Sequence, residues 1–128
     1  MDSTQQLFYA LGELAYAIAS ADGKLQEAEK KTFEKIVTEH KAWHSGDFDY
    51  ADVIFKILQK DKTDLETAYA WAMKEIELNK HHLTAQMVNS FKEILTRVAE
   101  AFPPVSIDEK EILNRFSKDI QKIGAHAS

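Results

Sequence analysis

The chain has 128 residues, 45% hydrophobic and 29% charged, a balance that fits one soluble globular domain with a single core. Its formal charge of -5 argues against general nucleic-acid binding, which rests on a basic face, while permitting a cation or a basic partner. The absence of cysteine excludes disulfides, thiol catalysis and Cys-rich structural zinc, and 4 Gly with 2 Pro argue against many-stranded β architectures.

Apolar residues recur at intervals of three and four, the helical period. Leu7, Leu11, Leu14 and Ile18 form one stripe, widened by Phe8 and Ala15, and predict a first helix near residues 4 to 20 with Ser3 or Thr4 as N-cap. The stretch is no signal peptide, because the first charge is Asp2 and Glu13 interrupts the apolar part. No run approaches the roughly 20 apolar residues of a membrane helix. A core helix and a cytoplasmic location are the expectation, with no membrane insertion.

Asp22-Gly23 breaks the first helix. Leu25, Glu29, Phe33, Ile36 and Val37 mark a second, running to about His40 or Trp43. Ser45, Gly46 and Asp47 interrupt again, and Asp47 or Asp49 can cap a third helix carrying Val53, Ile54, Ile57 and Leu58. Thr63 and Glu66 have the spacing of a capping box, opening a fourth helix with Leu65, Ala68, Ala72 and Ile76. After polar "NKHH", Thr84 begins a fifth with Met87, Phe91, Ile94, Leu95, Val98 and Phe102, which Pro103-Pro104 must stop. Ser106 and Glu109 repeat the capping box and open a last helix with Leu113, Phe116, Ile120 and Ile123. No segment alternates with the two-residue period of a strand. The fold class is therefore all-α, a compact bundle of about six helices over residues 1–128, with 124–128 a frayed tail.

The two ends share a plan. A shift of 82 residues lays Ala17 on Ala99, Leu25 on Ile107, Glu27 on Glu109 and Glu29 on Glu111, with Asp22-Gly23 over Pro104-Val105. Either the helix pairs are duplicated, or two helix-turn-helix units with acidic starts align by shared physics.

The connection "SADGKLQEAE" carries the first candidate chemistry. An EF-hand loop with Gly23 at its sixth position would have Glu29 at its twelfth, but Ile18 and Ser20 would then stand at the first and third ligand positions. A standard EF-hand is excluded. Asp-Gly is also a common turn, and glutamates favourably oppose a helix N-terminal dipole, so the stretch has a purely structural reading as well.

The "ADG" motif, its apolar Leu25, and Glu29 seven residues after Asp22 follow a helix rich in small residues ("AYAIASADG"). In this the chain resembles the tellurite-resistance TerB family and the TerB-like segments of some co-chaperone-type proteins. The helix plan is similar over residues 5 to 123, the specific motif over about 15 to 37. The resemblance implies an all-helical cytoplasmic domain of two related halves, with acidic residues that bind metal and a role in stress or toxic-anion response. By position the metal residues would be Asp22 and Glu29, with Gly23 structural; Glu27 or Glu111, outside that match, would be auxiliary ligands. Where the family can carry a second "DG", this chain has "FPPVSIDEKE", with proline in place of the aspartate and only Glu111 and Asp108 remaining.

His40 and His44 are four apart, the spacing of two ligands on one helix face, with Asp47 and Asp49 just beyond. The general base of a helical metalloprotease would directly follow the first histidine, and that residue is Lys41. Two surface histidines near a helix C-terminus account for the pair equally well. There is no Gly-x-Ser-x-Gly elbow and no glycine-rich phosphate loop. The aromatics read as core, although Tyr9, Tyr16, Tyr69 and Trp71 would line a partner groove if exposed.

The expected function is thus a small, acidic, non-enzymatic module. It would bind a divalent cation, calcium or magnesium, through Asp22 and Glu29 in a stress or tellurite-resistance setting. The first alternative is a metal-free scaffold for a protein partner, marked by an exposed apolar patch rimmed by charge. The second is a metal-dependent hydrolase on His40 and His44.

Overall fold

The computed structural model describes residues 2–21, 27–39, 47–101 and 104–124, with the backbone alone at positions 29, 37, 47 and 48. Six α-helices follow in order: α1 (Ser3–Ala19), α2 (Glu27–Glu39), α3 (Asp47–Asp61), α4 (Leu65–Leu78), α5 (Ala85–Glu100) and α6 (Ile107–Ile123). A single 3₁₀ turn at Lys80–His82 links α4 to α5. Among the described residues there is no paired sheet, and no helix is long and apolar enough to cross a membrane.

Helix α1 is the centre. Leu7 and Phe8 are buried, as is every residue from Ala10 to Ala19, and Tyr9 is partly so. A helix apolar nearly all round belongs inside a protein. Helices α3 and α4 make its principal contacts, with α5, α6 and α2 completing the enclosure. The small residues of "YALGELAYAIA" permit this closeness. At Gly12 the approach of α3 is so tight that an added Cβ would run into the Ala51 carbonyl oxygen and the Ile54 side chain.

Rings lock the remaining helices to this centre. Phe8 of α1 meets Phe91 of α5 edge-on at 5.6 Å, and Tyr16 meets Phe55 of α3 at 5.9 Å. Phe33 of α2 stacks on Phe55 at 5.1 Å. Such offset and edge contacts suit the ring quadrupoles and add to the burial of large apolar area.

The helix starts reveal how local chemistry chooses boundaries. Ser106 and Glu109 form the expected reciprocal box at α6, each bond 3.0 Å, and Thr84 caps α5 by accepting from the Met87 N–H at 3.1 Å. The other two caps differ from expectation. At α1 Asp2, rather than Ser3 or Thr4, is the N-cap, because Gln5 can return the bond: Asp2 accepts from Gln5 N at 2.8 Å and its own N–H donates to Gln5 Oε1 at 3.0 Å. At α4 Asp64 caps instead of Thr63, accepting from the Thr67 N–H at 3.1 Å and its hydroxyl at 2.5 Å. Lys62, at φ 52, turns the chain there, and Thr63 offers its carbonyl to the Tyr16 hydroxyl at 2.6 Å.

The core face of α3 also differs. Ala51, Ile54, Phe55 and Leu58 point inward, while Val53 and Ile57 are exposed. Elsewhere the inward stripes follow expectation: Ala68, Ala72 and Ile76 on α4, Met87 through Val98 on α5, and Phe116 and Ile120 on α6. Ile112 is buried beside them, with Leu113 and Ile123 at the rim. Phe102, Leu25 and the tail 125–128 lie outside the described residues.

Two substitutions test the packing and the cap. Gly12→Ala should destabilise by about 2–3 kcal/mol, because backbone faces the new methyl and neither helix can retreat cheaply. Ser106→Ala should cost about 1 kcal/mol, the usual worth of an N-cap, as measured by urea unfolding of both variants.

Candidate functional site

The acidic connection between α1 and α2 is described only at its edges. Asp22 and Gly23 lie outside the described residues, as do His40 and His44. Glu27 is the first residue of α2 and is exposed; Glu29 lies in the same first turn, its backbone alone described. Glu111 and Asp108 are exposed on α6, and Asp49 is exposed at the start of α3. Among the described residues no three His, Asp or Glu side chains gather as they would around a metal ion. His81 and His82 are exposed on the 3₁₀ turn.

A different acidic pair occupies the interior. Glu13, 1% exposed, stands in the middle of α1 and shares a hydrogen bond with Glu75 of α4. Burial, then the hydrogen bond and the negative charge of Glu75, push the Glu13 carboxyl up to about 10. Burial also raises Glu75, while the bond from Glu13 opposes that rise. Both carboxyl groups are pushed up, so the pair holds one proton between them and titrates as a unit. One oxygen of each, Glu13 Oε1 and Glu75 Oε2, is buried with no hydrogen-bond partner.

Other polar groups continue the seam. Asn79 Nδ2 donates to Gln6 Oε1 and to the Glu75 carbonyl, both at 2.7 Å. Burial pushes the Tyr9 hydroxyl up, helped by the negative charge of the Glu13–Glu75 pair. Gln6, Tyr9, Glu13, Tyr16 and Ser20 follow one another at intervals of three and four, so they form a polar stripe along α1. That periodicity was the available signal for the pair. Glu13 reads instead as an interruption of an apolar run when only the apolar stripe is traced.

A second polar cluster clamps α4 to α6. Tyr69 donates its hydroxyl to Asp119 Oδ2 at 2.7 Å, and the Arg115 guanidinium lies 4.1 Å from the Tyr69 ring centroid. Arg115 also grips both oxygens of Glu66, at 2.8 and 3.0 Å. Burial, then the bond to Asp119, raises the Tyr69 hydroxyl well above the ordinary tyrosine range. These groups satisfy one another across two helices, which is a fastening rather than a reactive arrangement.

The surface offers a third feature. Of the aromatics considered for a partner groove, Tyr16 and Tyr69 are buried, Tyr9 is partly buried, and Trp71 is 48% exposed. Leu78, two turns along α4 from Trp71, is 69% exposed. Compared with protein-family models, with curated proteins and with solved structures, the chain matches none.

The clamp makes a checkable claim. Tyr69→Phe should lose about 1 kcal/mol, the typical net worth of one hydrogen bond. Ultraviolet titration should show Tyr9, Tyr16 and Tyr69 of the native chain ionising later than an ordinary tyrosine, with the latest component missing from the variant.

Proposed function

We propose that this chain is a non-enzymatic, cytoplasmic module of TerB-like type that works by binding a protein partner. The observation that carries the reading is the outer face of α4. Trp71 and Leu78 stand seven residues apart, hence on one side of the helix, and turn away from the Ala68–Ala72–Ile76 stripe that meets the core. Single exposed apolar residues are ordinary on a surface. Here two large ones recur along one face, with exposed Lys74 between them and the Glu77–Lys80 ion pair, 3.3 Å, at the end. An apolar strip with a charged margin is the form of a docking face, and tryptophan is a frequent anchor in one. The occupant that suits it is a protein segment presenting apolar residues at helical spacing.

A divalent cation is the second ligand of the same reading, with calcium or magnesium held by Asp22 and Glu29 in a stress-response setting. Its support is the "ADGKLQEAE" motif, with Glu27 and Glu29 in the first turn of α2 just beyond Asp22 in the sequence. Carboxylate oxygens are the donors these hard cations take.

Trp71→Ala combined with Leu78→Lys should abolish retention of a partner captured by the native chain. Surface changes of this kind alter stability by only about 0.5 kcal/mol, so the thermal midpoint should stay near the native one. Equal retention by native and variant chains would sink the docking reading.

Calorimetric titration with calcium, magnesium and zinc separates the cation reading. Calcium or magnesium heat should vanish in Asp22→Asn with Glu29→Gln. Zinc heat that survives those changes would point to His40 and His44 instead.

A further inference from the structure

We propose that Glu13 and Glu75 form a proton-operated latch between α1 and α4, closed while the two carboxyl groups share one proton and released when both are ionised. The geometry supplies the reason. The groups come from two helices packed against each other, Glu13 is 1% exposed, and Glu13 Oε1 and Glu75 Oε2 are both buried with no other hydrogen-bond partner, so only a proton held between the carboxyls can satisfy them. A hydrogen bond between two carboxyl groups requires a proton on one of them. With that proton gone, the donor becomes a second acceptor, and two like charges are left together away from water.

Among the described residues, none stands in for the proton. Glu75 is the charge from α4 that acts on Glu13, and Tyr9, one turn earlier on α1, adds only a hydroxyl. On α3, Asp52 follows Ala51, the residue against Gly12, and its Oδ2 is bound by Lys56 at 2.9 Å. Among the described residues, α2, α5 and α6 bring no charge that acts on either carboxyl. Gln6 and Asn79, a turn or two away, are neutral and bonded to each other. The latch therefore depends on proton concentration and on no internal counter-ion of these helices.

Linkage fixes the sign of the effect. The unfolded chain releases the Glu13 proton near its ordinary value of 4.5, while the folded chain keeps it to about 10. Between these values unfolding releases a proton, so stability falls as pH rises; below the lower value that loss is absent. The raised Glu75 works in the same direction.

Thermal unfolding of the full chain from about pH 4 to about pH 9 tests the latch, comparing the native protein with Glu13→Gln, Glu75→Gln and the double variant. The native midpoint should fall as pH rises. Glu13→Gln keeps a neutral donor toward Glu75 at every pH, so it should match the native chain in acid and exceed it by about 5 °C or more near pH 9. The double variant should remove no more of the pH dependence than the larger single effect, since the pair titrates as one unit.

Infrared spectra of the native chain at neutral pH give a readout that does not depend on any variant folding. The carbonyl stretch of a protonated carboxylic acid should be present there. Its absence would overturn the latch, as would an unchanged pH dependence in well-folded Glu13→Gln. Calcium that restores the native midpoint at high pH, with no effect on Glu13→Gln, would also overturn it by making a cation the partner of the pair.

Discussion

A helix packed on all sides has no solvent to satisfy what it carries, and α1 is in that position for most of its length. Its side chains consequently set the place of every neighbour. The missing side chain of Gly12 decides how near α3 can come, and Phe8 meets Phe91 to place α5. Tyr16 fills two roles at once: its ring meets Phe55, and its hydroxyl reaches the Thr63 carbonyl in the turn between α3 and α4. The C-terminal half of α1 is thereby tied to the connection that launches α4.

The same enclosure leaves a glutamate at position 13 dependent on a neighbouring side chain, and Glu75 is the ionisable group set against it. Two unit charges 4 Å apart repel by about 4 kcal/mol even at an effective dielectric constant near 20, and a shared proton removes most of that. Well-packed apolar residues would often be as stable as a buried ionic group. What Glu13 and Glu75 add is position. Their bond, with the Gln6–Asn79 bond farther along the same seam, selects one register of α4 on α1. An apolar seam would tolerate sliding by comparison, because apolar contact is not directional.

Much of this fold was legible because helix periods and caps are local. The six helices, the Thr84 cap and the Ser106–Glu109 box follow from spacing alone. The departures arise where two local solutions compete. Ser3 and Asp2 are both good caps, and Gln5 at the third helical position decides between them. Thr63 and Asp64 both stand just before α4, and the turn at Lys62 and the demand of Tyr16 for the Thr63 carbonyl decide there. On α3, Val53-Ile54 and Ile57-Leu58 present adjacent apolar pairs, so periodicity leaves the facing side open; the contact at Gly12 selects Ala51 and Ile54. Glu13 was hidden for a related reason. Its partner lies on another helix, 62 positions away (75 minus 13), and no local pattern joins the two.

The likeness of the chain's two ends stops short of equivalence. Glu27 is exposed at the start of α2, whereas Glu109, its counterpart by the shared shift, is 2% exposed and bonded back to the Ser106 N–H. A carboxylate held in that way is committed to its helix start, although its second oxygen is buried without a partner. Glu111 is exposed and free of that bond, yet the position matching Asp22 is Pro104, which contributes no side-chain oxygen. Helix α1 is enclosed almost all round, while α5 buries Met87, Phe91, Ile94, Leu95, Val98 and Ala99 along one face. The halves thus meet different demands: the second is a capped amphipathic pair, and the first supplies the central helix. The proposed cation site would have more carboxylates to draw on in the first half, where Asp22, Glu27 and Glu29 lie within eight residues, than in a symmetric arrangement of both.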